Sequence, residues 1–357
     1  MHRITLNNIS KQVHYTTQRD SNMELLRIIA MLLVLIVHAN FKALGVPSQI
    51  DVITIPFPSF LRFFCESISI ICVNVFILIS GWYGIRPKPI RFCSLLFQFF
   101  FIGIVIYITL NLTNCTYSWT KIEWFHLFTF HRDLWFFNSY IILYILAPIL
   151  NYYVDNVNQE DFKRLLVMFF SAQTLFGYIY SDVAFCGGFS PLSFIGLYLL
   201  SSYVKLYNPR FSKMRKWSDM GIFLGVALIK TLLAMILIGK ANADGWMFYV
   251  YTSPLVIICS LYFFMFFTKV SFSCRIVNWI ASSVFAVYLF HHDPLIFQSF
   301  YLDPIRHWHD NETFFSFLLY TSLLIVGVFA LSILIDKVRD NVFKCICKVL
   351  NTTCVHK

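Results

Sequence analysis

Residues 23–40 read MELLRIIAMLLVLIVHAN, an apolar run of the length that crosses a bilayer as one helix. Two polar side chains, Arg27 and His38, interrupt this run eleven residues apart. Because an α-helix turns about 100° per residue, both lie on one stripe of the helix, roughly 16 Å apart along its axis. An ionisable side chain inside a bilayer is costly, which favours a functional reason for both residues. The alternative is that Arg27 snorkels to the headgroups and His38 marks the opposite interface.

The composition indicates the class of protein. Hydrophobic residues make up 58% of the 357 residues and charged residues only 13%, against about a quarter in a soluble domain. We therefore expect an all-α integral membrane protein with about ten transmembrane helices and no separate soluble domain. The predicted spans are 23–41, 62–83, 92–112, 134–154, 163–180, 191–207, 218–239, 247–268, 276–298 and 313–335.

Lysine and arginine orient this predicted bundle. When the spans alternate, twenty of the 28 basic residues fall on one side, five on the other, and three within spans. This bias places both termini in the cytoplasm. The chain then divides into a cytoplasmic N-terminal tail (1–21), a ten-helix membrane domain (22–336) and a basic cytoplasmic C-terminal tail (337–357). Since no cleavage site follows the first apolar run, we expect it to be a retained helix.

The net charge of +10 suits contact with anionic lipid headgroups or with a phosphate-bearing ligand. Nucleic acid is not an expected partner, because no soluble aromatic face is available to bind it. Of the ten cysteines, Cys115 and Cys186 fall in outward loops, where a disulfide is an open option. Cys345, Cys347 and Cys354 lack the spacing of a zinc site, and no metal is expected.

A second polar group lies near the outward end of the ninth predicted helix, in SSVFAVYLFHHDPLI (282–296). His291 follows Tyr288 by three residues and shares its helix face. A histidine here suits a general base or a hydrogen-bond donor to a substrate. His38 and His291 both fall in the outer half of the membrane, so we predict that they line one cavity. For His292, and for the neighbouring carboxylate of Asp293, an interfacial polar cap is an equal alternative.

A third group lies in CVNVFILISGWYGIRPKPIR (72–91), the second predicted helix and the loop after it. Asn74 is an amide within the membrane, and Ser80–Gly81 allows a neighbouring helix to approach closely. Arg86 and Arg91 belong to a compact basic patch that suits phosphate binding. Ordinary positive-inside charge explains this patch equally well.

Two further positions are notable. Trp135 opens the fourth predicted helix and is a candidate for substrate contact, with the interfacial aromatic belt as the favoured alternative. Lys230 lies in the middle of the seventh predicted helix without an obvious partner. Two environments are candidates for its ammonium group: a cavity, or an ion pair with a carboxylate such as that of Glu66.

These residues resemble the membrane-bound acyltransferase-3 family, which includes bacterial O-acetyltransferases of polysaccharides and peptidoglycan. Four stretches carry the resemblance in the same order along nearly the whole chain: ELLRIIAMLLVLIVH, VNVFILISG, LWFFNSYIILYILAPILN and VFAVYLFHH. The resemblance implies that Arg27 and His38 are the family's essential pair and that His291 is the histidine of its Tyr-x-x-His motif. Many members also carry an Arg-rich motif at the start of the third helix, where this chain has only Arg91.

The resemblance implies a multi-pass enzyme of the bacterial inner (cytoplasmic) membrane. Its reaction would move acetyl from acetyl-coenzyme A to a hydroxyl of a cell-surface or lipid-linked polysaccharide. A hydroxyl is a poor nucleophile near pH 7, so a base must take its proton, and neutral His38 suits that role. His291 or Asn74 is a candidate donor to the thioester oxygen. The candidate substrate contacts are Asn74, Trp135, Tyr288 and His292.

Arg27 is the candidate catalytic contact for the donor, and with Arg86 and Arg91 it is a candidate to bind coenzyme A. Direct transfer and a covalent relay across the membrane both remain open. The main alternative function is a transporter or flippase of lipid-linked sugars, against which stands the absence of paired repeats. A membrane glycosyltransferase would need acidic residues in the first outward loop, which has only Asp51.

Overall fold

The computed structural model describes residues 20–113, 134–241 and 244–355, with side chains described to residue 350. All regular secondary structure in these ranges is helical, and the chain is a helical membrane protein, as predicted. The predicted tail up to residue 19, and Cys115 as an optional partner of Cys186, lie outside the described residues.

The helices of the described ranges are numbered in chain order. They are α1 (Ser21–Val37), α2 (Gln49–Thr54), α3 (Pro56–Ser69), α4 (Cys72–Tyr83), α5 (Pro89–Thr113), α6 (Trp135–Asn156), α7 (Gln159–Ala172), α8 (Pro191–Tyr207), α9 (Lys216–Ala241), α10 (Pro254–Thr268), α11 (Arg275–Ala281), α12 (Val284–His291), α13 (Asp303–Asn311) and α14 (Phe314–Val355). Wider π-helical segments cover His38–Lys42, Gln173–Ile179 and Phe297–Leu302, and short 3₁₀ turns cover Cys186–Gly188, Arg210–Lys213 and Gly245–Tyr249.

Seven helical segments of the described chain are long and apolar enough to cross a membrane. They correspond to seven of the ten predicted spans, so the multi-pass prediction is confirmed. These segments are Ser21–Lys42, Pro56–Tyr83, Pro89–Thr113, Trp135–Asn156, Lys216–Ala241, Gly245–Thr268 and Phe314–Leu350.

The other three predicted spans are shorter or interrupted in the structure. The predicted span 163–180 is α7 followed by a π-helical segment, and α8 has only 17 residues. The predicted span 276–298 is divided by a turn at Ser282–Ser283 into α11 and α12, and the chain leaves the helix after His291. The count of ten spans and the cytoplasmic location of both termini therefore stay predictions.

Helix α1 lies at the centre of the bundle. It packs against α3, α4, α10, α11 and α12, and Leu26, Ala30 and Leu35 are fully buried in these contacts. Neighbouring helices rather than lipid therefore surround most of α1. This position explains how a membrane helix accommodates Arg27 and His38, because protein groups are available to both side chains.

Gly81 sets the close packing of α4 on α8, as the Ser80–Gly81 pair predicted. A Cβ atom at this position would lie 2.2 Å from both the Tyr198 carbonyl oxygen and the Ser201 hydroxyl oxygen. The Ser202 hydroxyl donates a hydrogen bond of 3.0 Å to the Gly81 carbonyl. Only glycine allows the two backbones to approach to this distance.

Helices α1 and α12 both end at polar residues, and the backbone that follows each end is irregular. The end of α1 widens into the π-helical turn His38–Lys42, and α12 ends at His291. The π-helical segment Phe297–Leu302 then packs on the first π turn. The Tyr301 hydroxyl fastens the contact by donating a 2.8 Å hydrogen bond to the Leu35 carbonyl. Isolated π-helical turns are frequent at functional sites.

Candidate active site

The stripe predicted from Arg27 and His38 is completed in α1 by two apolar residues. These are Met31 and Val34, and the spacings of four, three and four residues keep all four side chains on one helix face. From Met31 to His38 the stripe lines a narrow cavity of about 40 Å³. The remaining walls are largely aromatic and include Phe76, Trp135, Phe136, Tyr251, Phe285 and Tyr288.

His38 and His291 are hydrogen-bonded to each other. The distance between Nδ1 of His38 and Nε2 of His291 is 2.9 Å, and Nδ1 of His291 lies 2.6 Å from the Val287 carbonyl oxygen. His38 is half-buried and lines the cavity, whereas His291 is fully buried behind it. The prediction that both histidines lie together is confirmed. His291 is not among the residues that line this cavity, so a cavity shared by both histidines stays a prediction.

The carbonyl of Val287 determines the tautomers of the pair. A carbonyl oxygen only accepts, so Nδ1 of His291 carries a proton and donates it to Val287. Burial favours neutral imidazole, because a buried charge is costly without a counter-charge. Nε2 of His291 is therefore unprotonated and accepts a hydrogen bond from Nδ1–H of His38. As a result, Nε2 of His38 carries a lone pair, as a general base requires.

Aromatic rings enclose this histidine pair. The His292 ring lies 5.0 Å from the His38 ring and is stacked on Tyr288 at 5.5 Å. Phe297, from the π-helical segment, lies 5.2 Å from His38 and 4.5 Å from His292. The structure therefore places His38 beside Tyr288, His291 and His292, as the sequence indicated. The carboxylate of Asp293 accepts a hydrogen bond from the Leu295 amide at 3.0 Å.

The predicted donors to a thioester oxygen are already engaged. His291 uses both ring nitrogens in the bonds to Val287 and His38. Asn74 is buried and donates to the Tyr251 carbonyl at 3.3 Å, and it is not among the residues that line the cavity. Its observed contact holds one wall of the cavity, because Tyr251 lines it.

Trp135 does line the cavity, at the start of α6. Its ring lies 4.5 Å from Phe189 and 5.9 Å from Tyr251, and the residue is half-buried. Of the four predicted substrate contacts, Trp135 and Tyr288 therefore face the cavity. Its contact with substrate and its place in an interfacial aromatic belt both stay predictions.

Arg27 lies at the opposite end of the stripe from His38, and we call this part of the bundle the Arg27 end. Its guanidinium donates to Glu24 at 2.8 Å, as the three-residue spacing indicated, and its side chain is 34% exposed. The group also lies 5.9 Å from the centre of the Tyr83 ring. The Tyr83 hydroxyl donates to Asp20 at 2.8 Å. The guanidinium is thus held by a carboxylate and a ring rather than by lipid headgroups alone.

The structure separates the remaining predicted coenzyme-A contacts. Arg91 lines a cavity of about 650 Å³ between α5, α11 and α14, together with Arg339 and Lys344. Arg86 is exposed after the end of α4. Arg27 is not among the residues that line the Arg91 cavity. Lys205 on α8 shares a contact with Arg27, since it lies 5.7 Å from the centre of the same Tyr83 ring.

A polar network supports the π turn that begins at His38. Asn40 donates to the carboxylate of fully buried Glu66 and to the Arg62 carbonyl, both at 2.9 Å. Lys230 donates to the Ser67 carbonyl at 3.1 Å rather than to Glu66, although the charges of Lys230 and Glu66 attract each other. Glu66 and Lys230 are therefore close enough to interact, as the sequence suggested, but they form no direct hydrogen bond. The sequence did not point to Asn40, because a lone asparagine at a helix end has no distinctive pattern.

The comparison with known families decides the identity of this bundle. A family model described as an acyltransferase domain, Acyl_transf_3, matches residues 20–337. The chain belongs to the acyltransferase-3 family. No match was found among curated proteins or among solved structures.

Membership makes this acyltransferase-3 chain a multi-pass membrane acyltransferase. The match begins just before α1 and ends within α14, so it includes the histidine pair, the cavity and the Arg27 end. Acyl transfer to a hydroxyl needs a base for the acceptor, and an imidazole with a basic nitrogen beside a cavity has the chemistry of one.

Proposed function

We propose that this acyltransferase moves an acetyl group from acetyl-coenzyme A to a hydroxyl of a cell-surface or lipid-linked polysaccharide. In this proposal the protein lies in the bacterial inner membrane with both termini in the cytoplasm. The observation that carries it is the bond between Nδ1 of His38 and Nε2 of His291. That bond leaves a basic nitrogen on a residue that lines a cavity inside an acyltransferase.

His38 acts as the general base. Nε2 of His38 takes the proton of the acceptor hydroxyl while the hydroxyl oxygen attacks the thioester carbonyl carbon. The tetrahedral intermediate then collapses, the carbon–sulfur bond breaks, and the thiolate of coenzyme A takes the proton back from His38. General-base catalysis of this kind contributes roughly 10²–10⁴ in rate.

His291 acts as a positioning residue. Its Nε2 fixes the orientation and the tautomer of His38, and its own orientation is fixed by the Val287 carbonyl. When His38 becomes an imidazolium, Nδ1–H still donates to a neutral and polarised imidazole. This contact favours the charged form of His38 without placing a second charge in the membrane.

The donor enters from the Arg27 end. Most basic residues fall on this side in the predicted topology, which assigns it to the cytoplasm, where acetyl-coenzyme A is found. The guanidinium of Arg27 contacts a phosphate or the thioester-bearing arm. Met31 and Val34 form an apolar stripe between Arg27 and His38, and both line the cavity of about 40 Å³ beside His38. In the proposal the arm extends along this stripe, and the cavity widens to admit it and its thioester.

Labelled acetyl-coenzyme A tests the proposal. The purified protein in nanodiscs is incubated with the labelled donor and a polysaccharide extract, and label in the polysaccharide is counted. We expect transfer by the wild type and by His307→Ala, an exposed histidine on α13, and transfer slower by roughly 10²–10⁴ in His38→Ala. Normal transfer by His38→Ala at equal protein level would remove the base assignment. Movement of an acceptor across the membrane without label transfer would support a transporter instead.

A further inference from the structure

A further cavity lies near the Arg27 end of the bundle. It has a volume of about 550 Å³ and lies between α4, α8, α10 and the turn that follows α8. Its polar walls are formed by Lys205, Asn208, Ser212, Lys213 and Lys269, with Trp82 on one side. We call this cavity the lysine pocket. Its volume is in the range of small-molecule and cofactor sites in proteins.

The charge of the lysine pocket is positive and incompletely neutralised. Lys269 is paired with the buried carboxylate of Asp219. Lys205 donates to the Trp82 carbonyl at 2.6 Å, and Lys213 forms no ion pair with any residue that the structure describes. Asp20 attracts Lys205 and Arg86 repels it, so three ammonium groups and one guanidinium against two carboxylates leave a charge of +2. A phosphate ester carries nearly two negative charges, whereas a carboxylate carries one, so the balance favours phosphate.

The lysine pocket adjoins the residue proposed to contact the donor. Lys205 lines the pocket and lies 5.7 Å from the centre of the Tyr83 ring, and Arg27 lies 5.9 Å from the same centre. Lys205 of the pocket and Arg27 of the stripe therefore contact the same ring. The phosphates of a ligand in the pocket would lie close to the start of that stripe.

We propose that Lys205, Lys213 and Lys269 bind the phosphate groups of a nucleotide-bearing acyl donor. This inference rests on the proposed function, which supplies such a donor. It moves the main phosphate contact from Arg86 and Arg91 to a pocket on α8 and α10. Lysine suits this role because its ammonium is a compact point charge with three donors.

Coenzyme A itself is the probe for the lysine pocket. Its equilibrium binding is measured with purified protein in nanodiscs of phosphatidylcholine, for the wild type, Lys213→Gln and Lys205→Gln. Lys216→Gln is the matched control, because Lys216 is exposed in the same basic segment but does not line the pocket. We expect Lys213→Gln to weaken binding about tenfold, as the loss of one charged hydrogen bond predicts, and Lys216→Gln to leave it unchanged.

The outcomes separate the pocket from the proposed function. Unchanged affinity of both pocket variants, in a protein that still acetylates polysaccharide, overturns the pocket and leaves the function standing. Weakened binding in a protein that acetylates no polysaccharide supports the pocket and overturns the function. A second set of nanodiscs containing phosphatidylglycerol tests the lipid source. If Lys213→Gln lowers only the stabilisation of the protein by this anionic lipid, the pocket binds headgroups and the inference is wrong.

Discussion

His38 and His291 are separated by 253 residues in the chain and by 2.9 Å between Nδ1 and Nε2 in the structure. The bond has a direction, from His38 to His291, because His291 in turn donates to the Val287 carbonyl. The direction makes His38 the residue with a free basic nitrogen. It also makes His291, which the sequence presented as a candidate donor to the thioester oxygen, the acceptor of the hydrogen bond from His38.

Replacement of His291 tests its positioning role. In His291→Ala, Nδ1–H of His38 loses its acceptor, so we expect kcat for acetyl transfer to fall about 10²-fold, the lower end of general-base catalysis. The KM for the donor should stay close to that of the wild type, because His291 does not line the cavity. In His291→Gln the side-chain carbonyl can accept the same hydrogen bond, and part of kcat should return. Equal loss in both variants, or a loss confined to KM, would contradict the assigned role.

Filling the cavity tests the path of the donor arm. Val34 is buried and lines the cavity, so Val34→Phe should obstruct the passage between Arg27 and His38. We expect acetyl transfer to fall at least about tenfold while coenzyme A still binds, since overpacking of this kind costs only about 1–3 kcal/mol of stability. Leu32→Phe is the control, because Leu32 does not line the cavity. Full activity of Val34→Phe would show that the donor does not pass along this stripe.

The close contact at Gly81 should be sensitive to a single methyl group. Gly81→Ala places a Cβ 2.2 Å from Tyr198 and Ser201, so α4 and α8 must separate. We expect the free energy of unfolding to fall by about 1–3 kcal/mol, measured by thermal denaturation in detergent. Gly327→Ala on α14 is the control, since its Cβ meets no atom within 4 Å, and it should raise stability by about 0.5–1 kcal/mol. Similar behaviour of both variants would argue against the packing of α4 on α8.

The network around Asn40 should maintain the π turn that begins at His38. Asn40→Ala removes the hydrogen bond to the buried carboxylate of Glu66. We expect a loss of about 1–3 kcal/mol of stability, because a buried polar group is left without its partner. Hydrogen exchange should also become faster in residues 38–45. If exchange there stayed at the wild-type rate, another contact would be responsible for the turn.

Several parts of this site were predictable from local sequence. The Arg27–His38 stripe follows from helical spacing, and the contact of Arg27 with Glu24 follows from a separation of three residues. The close approach at Gly81 follows from small residues in a membrane helix. Each depends on residues within one segment, where geometry is set by the helix itself.

Other parts were not predictable, and the reason is physical. Arg91 lines a separate cavity between α5, α11 and α14, whereas Lys205 on α8 lies over the same Tyr83 ring as Arg27. These residues all carry one positive charge, so charge alone does not decide their contacts. Which of them reaches a given ring depends on how α4 and α8 pack, and that packing was set by Gly81 and its partners.

The sequence by itself determined the class of protein, the position of seven long membrane helices and the polar stripe on the first of them. These are local properties, because hydropathy over about twenty residues and a period of 3.6 residues are read within one segment. Only the tertiary structure decided the proton arrangement of His38 and His291, the aromatic walls of the cavity and the neighbour of Arg27. These depend on contacts between distant segments, and no pattern within a single helix specifies which segments will meet.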